Sequence, residues 1–274
     1  MKLSEFKENL KDKLIIIKAV SVYTFQQETA YWVNTWAHVL STFFYTLSMI
    51  LFIDVLYTNV NLVAGYSINE MLLFLLVGQS TYYISWLVYS NISNLITDVN
   101  NGNLDLILVK PISSLFYILF RKINVFGVLR DSLPPLLLII LKIDWGVFSF
   151  TPANLISGII IALMGIVISL TFHLIMSLPV FWIGESSNIV EFSSHLEYNV
   201  GKIIPLEGYQ QNYRFLFSSA IPFLISTGIS TSVMLGKSNS IIMLVGSLTV
   251  MILILNMRKL AWNKALKAYT SASS

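Results

Sequence analysis

The chain has 274 residues, of which 55% are hydrophobic and only 11% are charged, and it contains no cysteine. Soluble domains carry roughly 25% charged residues, so this composition and a mean hydropathy of +0.73 exclude a soluble globular protein and predict an integral membrane protein. A net charge of +3 is too small to indicate nucleic acid as a partner, and the lack of cysteine excludes disulfides and thiolate metal sites.

The N-terminal segment, residues 1–30, mixes five lysines with four acidic residues. Leu10, Leu14 and Ile17 recur at helical spacing, which predicts an amphipathic helix lying at the membrane surface. The apolar run that follows the lysines is too short for the core of a cleaved signal peptide, so we expect the segment to be retained.

Two membrane spans are predicted next. Residues 31–53 carry no charge and are long enough to cross a bilayer. Residues 54–70 contain no lysine or arginine, which is typical of a loop on the outside. A second span is predicted for residues 71–92.

A short polar segment, residues 92–113, interrupts the apolar runs and must emerge into water. We expect the second span to continue as a helix to about Val99, and Gly102 to adopt a positive φ in the turn that follows. A second apolar element, residues 104–109, should end before Pro111. The segment is either a plain loop or a rigid cytosolic knuckle on which another protein pushes.

The third span, residues 122–142, contains the adjacent charges Arg130 and Asp131. Charges at this depth are costly and should face protein or a water-filled cavity. Neighbouring positions on a helix do not face each other, so we expect each charge to have a partner elsewhere. An inter-helix contact is favoured over substrate binding, and Pro134 with Pro135 predicts a kink.

The fourth span lies within residues 154–180. Gly158, Ala162 and Gly165 form a stripe of small residues that allows another helix to approach closely. Packing within the chain and a seam between subunits are both compatible with the stripe.

Two segments of the sequence are candidates for the fifth membrane crossing. Residues 186–204 contain Glu191 and His195 and would face lipid poorly, whereas residues 215–236 are uncharged but interrupted by Pro222. The second segment fits re-entrant or broken helices better than a clean span. Residues 238–257 form the last span, and the basic residues after it hold that end inside. Six crossings place all the basic clusters on one side.

A catalytic site is not apparent. Gly236, Lys237 and Ser238 resemble the end of a phosphate-binding loop, but position 231 is threonine where that loop needs glycine. Glu191 and His195 share a helix face, yet a polar contact in the helix bundle is favoured over a protease site because no second such pair accompanies them. We therefore expect no enzyme activity, no metal site and no bound cofactor.

Three stretches in order along the chain resemble one family. They are Ile96-x5-Gly102-x-Leu104-x2-Ile107-Leu108-x-Lys110-Pro111; Phe181-Trp182-Ile183-Gly184-Glu185 with Gly201-x-Ile203-Ile204-Pro205-Leu206 and Ile221-Pro222-Phe223; and Trp262-x6-Tyr269. Together they resemble the ABC-2 family of ATP-binding-cassette transporter permeases, in the subgroup of single-domain bacterial membrane subunits.

The resemblance implies an all-α integral membrane fold, as in type V or ABC-2 exporters, with residues 1–274 as one transmembrane domain. It implies six transmembrane helices, a cytosolic interfacial elbow helix within residues 1–30, and residues 186–204 as the fifth helix. Extracellular re-entrant helices within residues 205–236 would precede the last span. Residues 92–113 would be the coupling helix, with the contact to the ATPase carried by Asp98, Gly102, Leu104, Asp105, Lys110 and Pro111. A second cytosolic contact would involve Gly184 and Glu185.

The implied function is export of an amphipathic compound, such as a drug, a peptide antibiotic or a lipid-like molecule. Two copies of a separate ATPase subunit would bind ATP and Mg, and a second permease, identical or related, would complete the pathway. The chain would lie in the bacterial inner membrane, surrounded by lipid, with both ends cytosolic. The alternative from the residues alone is an ATP-independent secondary transporter or channel, for which paired mid-membrane charges would argue.

Overall fold

A computed structural model describes residues 15–26 and 32–269, and these residues are almost entirely helical. The predicted surface helix of residues 1–30 is described only as α1, Ile15–Gln26. The other α-helices are α2 Trp32–Tyr57, α3 Ile68–Asn100, α4 Asn103–Leu108, α5 Ser114–Phe120, α6 Val125–Lys142, α7 Pro152–Ser177, α8 Val180–Ile183, α9 Ser187–Gly201, α10 Gln211–Phe215, α11 Ser230–Met234 and α12 Ser240–Ala268.

The described residues form an all-α membrane fold. Four helical stretches are long and apolar enough to span a bilayer: Thr35–Tyr57, Ile68–Asn100, Pro152–Ile183 and Ser240–Ala268. Two bent helix pairs also qualify by length and composition, which raises the number of candidate spans to six. The predicted class, a helical integral membrane protein, is confirmed.

The first bent pair joins α5 to α6 at an angle of 48°. At the break, the buried side-chain amide of Asn91 donates hydrogen bonds to the carbonyl oxygens of Leu119 and Lys122, at 3.1 and 3.0 Å. Asn124 then caps α6 by accepting from the amide of Gly127. These polar contacts satisfy the helix ends at the break. Pro134 and Pro135, where a kink is predicted, lie inside α6 without ending it.

The second bent pair, Gln211–Ala220 with Ile225–Met234, turns back on itself by 107°. We call it the re-entrant pair. It packs against α7 where the predicted small residues lie: a Cβ atom added to Gly165 would lie 2.4 Å from the Cα of Ser226, and one added to Gly158 would lie 2.8 Å from the carbonyl oxygen of Ser230. Gly158 and Gly165 of the stripe thus allow close packing within the chain.

Helix α9 has 15 residues, about 22 Å at ~1.5 Å per residue, so it is shorter than a bilayer core of roughly 30 Å. Its last residue, Gly201, packs against the carbonyl oxygen of Phe223 at the tip of the re-entrant pair. Within the pair, Thr227 reaches α3, where its hydroxyl contacts that of Thr81 at 3.3 Å. The short helix and the re-entrant pair thus meet end to end within the bundle.

Helix α1 contacts the break between α5 and α6. The hydroxyl of Thr24 donates to the carbonyl oxygen of Ile123 at 2.8 Å, and the ring of Phe25 meets that of Phe126 edge to face. Residues 1–14 and 27–30, the rest of the predicted surface segment, and residue 31 lie outside the described part of the chain.

Candidate functional site: the polar knuckle and the membrane cavity

The polar segment of residues 92–113, the knuckle, is built as a helix, a turn and a second short helix. Gly102 has φ of 71° and joins α3 to α4, so the predicted left-handed turn is confirmed. Leu104 and Ile107 are buried, whereas Leu106 is 67% exposed and Val109 is 80% exposed. The tip of the knuckle therefore presents apolar side chains to its surroundings.

The two limbs of the knuckle are tied together by an ion pair. Asp98, in the last turns of α3, pairs with Arg121 at the break before α6. Both side chains are nearly buried, at 10% and 13% exposure, so the pair holds one limb against the other in a poorly hydrated place. Among the residues predicted to contact an ATPase, Asp98 and Leu104 thus point inward, and Lys110 and Pro111 are exposed.

Parts of all three stretches that carry the family resemblance meet at this end of the bundle. The ring of Phe181 lies edge to face with both Trp262 and Tyr269, at centroid distances of 6.0 and 5.9 Å. Phe181 and Trp262 share one core cluster with Leu104. Burial raises the pKa of the Tyr269 phenol, and the nearby Asp105 carboxylate raises it further, so the C-terminal end of α12 lies beside the knuckle.

The turn at residues 181–185 lies next to the knuckle. Gly184 has φ of 72° and ends α8, and the carboxylate of Glu185 accepts from the amide of Ser187 at 2.6 Å. Hydrogen bonds from Ser187 lower the pKa of the exposed Glu185 carboxyl because they stabilise its charged form. Glu185 and Asn101 line one recess of about 480 Å³, so the two cytosolic contacts predicted from the sequence are neighbours.

Arg130 and Asp131 pair with each other, a contact that the spacing of adjacent helical residues did not predict. Arg130 donates from Nε to Oδ1 of Asp131 at 2.7 Å and from Nη2 to Oδ2 at 2.9 Å. The Cβ atoms of the two residues point in different directions, but the long side chain of Arg130 folds back along the helix and reaches the carboxylate of Asp131. The two-bond geometry neutralises both charges locally.

A large cavity of about 1190 Å³ opens between α2, α3, α7 and α9. Most of its wall is apolar, and its aromatic side chains include Tyr45, Tyr82, Tyr83, Trp86, Tyr89 and Tyr198. Among the described residues that line the cavity, the acidic and basic ones, histidine apart, are Glu197 and Lys202. The shape and lining are those of a site for an organic molecule with a large apolar part.

A buried polar network lies in the wall of this cavity. His173 of α7 contacts two residues of α9: Nδ1 lies 2.7 Å from the hydroxyl of Ser193, and Nε2 lies 2.7 Å from Oε2 of Glu197. The ring of Phe223 stacks on the imidazole, and that of Tyr89 meets it edge to face. His173 thus connects α3, α7, α9 and the re-entrant pair at one point.

The sequence drew attention to a different pair on α9. Glu191 and His195 do approach each other, at 3.6 Å, but each side chain is 69% exposed, so they do not form the predicted contact inside the bundle. Residues 15–26 and 32–269 contain no group of three His, Asp or Glu side chains that could hold a metal ion.

A family model described as ABC-2 family transporter protein matches residues 43–273, which is most of the chain. The chain belongs to the ABC-2 family. Comparison with curated proteins and with solved structures yields no match.

Membership of the ABC-2 family gives the chain its general role. It is a multi-pass membrane protein and a permease component of an ABC transporter, a transport component that is not itself catalytic. The family also implies association with an ABC ATPase subunit. The predicted family, the helical fold and the transport class are thereby confirmed.

Several residues of this ABC-2 permease that the structure singles out were missed by sequence reasoning. At the knuckle these are Leu106, Val109 and Arg121. In the cavity they are His173, Glu197 and Lys202. The exposed face of α4 could have been found from helical periodicity, since Leu104 and Ile107 are three positions apart and Leu106 lies off that face. The cavity network carries no local signal, because its members come from separate helices.

Proposed function

We propose that this ABC-2 permease is the membrane subunit of an exporter that moves amphipathic compounds out of a bacterial cell. One observation carries the proposal: Leu104 of the knuckle, Phe181 and Trp262, one residue from each motif-bearing stretch, belong to a single buried cluster, and the knuckle above it exposes Leu106 and Val109. A separate ATPase subunit would dock on that tip. The inner face of the cytoplasmic membrane is then the side of the knuckle, of α1 and of both chain ends.

The coupling mechanism follows from the way the knuckle is braced. Leu104 and Ile107 anchor its short helix in the core, and the pair Asp98–Arg121 joins its two limbs. A push on Leu106 and Val109 would therefore be transmitted to α3 and α6 rather than absorbed by a flexible loop. Helix α3 also lines the large cavity, so its displacement would change the shape of the proposed transport site.

The complete transporter would contain two ATPase subunits and two permeases, identical or related. In this arrangement Gly102 supplies the fixed turn, and Lys110 and Pro111 flank the docking surface. Gly184 and Glu185 would contribute a smaller contact from the neighbouring turn. Residues 205–236, which include the re-entrant pair, would lie toward the outside of the cell.

The docking surface can be tested by placing charge on its exposed apolar residues. We expect the double variant Leu106→Glu, Val109→Glu to reduce co-purification with the co-expressed ABC ATPase by about tenfold or more, since two central apolar contacts would be lost. Folding should be unaffected because both side chains are exposed. The measurement is the recovery of the ATPase on the tagged permease, together with compound-stimulated ATP hydrolysis in proteoliposomes.

Val147→Glu is the matched control, because Val147 is also exposed but lies after α6, at the end of that helix away from the knuckle. It should leave ATPase recovery unchanged. Equal recovery of the ATPase with the double variant and with the control would contradict the proposed docking surface. Full transport by the purified permease without nucleotide would instead favour a secondary transporter or channel.

A further inference from the structure

The large cavity contains a lysine whose hydrogen-bonding capacity is largely unused. The side chain of Lys202 is only 10% exposed. Within residues 15–26 and 32–269 its ammonium group has two contacts: Oε1 of Glu197 at 3.7 Å and the ring of Tyr82, whose centroid is 4.7 Å away. The first distance exceeds the ordinary N–H···O value of about 2.9 Å. Three N–H donors thus remain for another acceptor.

Lys202 also lies deep in the bundle. Its Cβ is 4.0 Å from the position that a Cβ atom on Gly78 would occupy. Gly78 is ten residues along α3 from Ile68, or about 15 Å at ~1.5 Å per residue. An ionised side chain at such a depth is costly and marks a functional site by default.

The acidic partner of Lys202 is shared with a second residue. Oε2 of Glu197 lies 2.7 Å from Nε2 of His173, while Oε1 lies 3.7 Å from the ammonium group of Lys202. Nδ1 of His173 lies 2.7 Å from the hydroxyl of Ser193. Glu197 is therefore held against His173, and it does not make a close hydrogen bond to Lys202.

One face of Tyr82 is occupied by the ammonium group of Lys202. The N–H donors of that group that remain are directed to neither a carboxylate nor a carbonyl oxygen at hydrogen-bond distance. An anionic group of a ligand would accept charge-assisted hydrogen bonds from them.

We propose that the cavity binds amphiphiles that carry an acidic group, with a carboxylate, sulfate or phosphate hydrogen-bonded to Lys202. The hydrocarbon part would lie along the aromatic wall formed by residues such as Trp86 and Tyr45. This inference rests on the proposed function, because it names the class of compound that the permease would carry. The same chemistry is present in an exported acid and in the headgroup of an anionic lipid.

The test compares an acid with its neutral ester. Purified full-length permease in a neutral maltoside detergent is titrated with fluorescent dansylaminoundecanoic acid and with its methyl ester, and saturable binding is measured. We expect the acid to bind about tenfold or more tightly than the ester, since a charged hydrogen bond is formed to the acid alone. Lys202→Met should abolish that preference, Lys202→Arg should largely keep it, and Lys259→Met, at an exposed lysine on α12, should leave it unchanged.

Equal binding of acid and ester by the unmodified permease would overturn the proposal, and this comparison does not depend on any variant folding. An acid preference that survives in a folded Lys202→Met variant would overturn it too. Repeating the titration in nanodiscs separates the two sources: competition by phosphatidylglycerol supports a lipid headgroup, and its absence supports an exported acid. Because no ATPase is present, failure here leaves the proposed permease role standing, and failure of ATPase docking leaves this result standing.

Discussion

Asp98→Ala is expected to lower the free energy of unfolding by about 3–5 kcal/mol, because removal of one partner leaves the other charge buried and unpaired. The remaining charge would be the Arg121 guanidinium, which is 13% exposed next to the break between α5 and α6. The same change should weaken coupling, since the two limbs of the knuckle would no longer be tied. The measurement is reversible unfolding in mixed micelles followed by tryptophan fluorescence.

A double-mutant cycle distinguishes the loss of the pair from the cost of an isolated charge. Asp98→Leu combined with Arg121→Met should recover much of the stability, because replacement of a buried pair by apolar residues is often neutral. If the ion pair transmits motion from the ATPase through the knuckle, the double variant should not recover coupling. Compound-stimulated ATP hydrolysis measures this coupling. Additive losses of stability in the cycle would mean that the two residues act independently.

The Asp54–Lys142 pair provides the matched control. It joins α2 to the end of α6 with a distance of 2.8 Å, but its side chains are 31% and 44% exposed. Exposed pairs of this kind contribute roughly 0–1 kcal/mol. Lys142→Met should therefore change stability far less than Asp98→Ala, although both substitutions break one ion pair.

Local features of the chain were predicted well. The turn at Gly102 follows from residue chemistry alone, because glycine adopts positive φ at little cost, and the structure has φ of 71° there. The apolar length of the spans follows from the thickness of the bilayer. Both properties depend on neighbours in sequence, so they can be inferred without knowledge of the packing.

The partners of buried charges could not be predicted in the same way. The rule that adjacent residues on a helix do not meet concerns the directions of their Cβ atoms, and the flexible side chain of Arg130 reaches Asp131 regardless. The contact between His173 and Glu197 joins residues of separate helices. The conspicuous pair at Glu191 and His195 satisfies helical spacing, but both side chains are largely exposed. Sequence spacing identifies a shared face and does not reveal what that face contacts.

Gly165 lies where α7 and the re-entrant pair are in close contact. We expect its replacement to have the second large effect on stability. A Cβ atom at this position would lie 2.4 Å from Cα and 2.5 Å from the amide nitrogen of Ser226. Because these are backbone atoms, they cannot move aside as the end of a side chain can. Overpacking of this kind costs about 1–3 kcal/mol, occasionally more, which outweighs the gain of roughly 1 kcal/mol from alanine in a helix.

We therefore expect Gly165→Ala to destabilise the permease and Gly165→Leu to displace the re-entrant pair. In the unmodified permease, Phe223 at the tip of this pair stacks on His173 in the cavity wall. Gly246 on α12 is the matched control, since a Cβ atom there would meet nothing within 4 Å. Gly246→Ala and Gly246→Leu should be tolerated.

Because the chain has no cysteine, a single Ala220→Cys allows thiol labelling at the exposed end of the first re-entrant helix. Faster labelling with Gly165→Leu than with Gly246→Leu would demonstrate the displacement. Equal labelling, together with a Gly165→Ala variant as stable as Gly246→Ala, would contradict the close packing of α7 against the re-entrant pair.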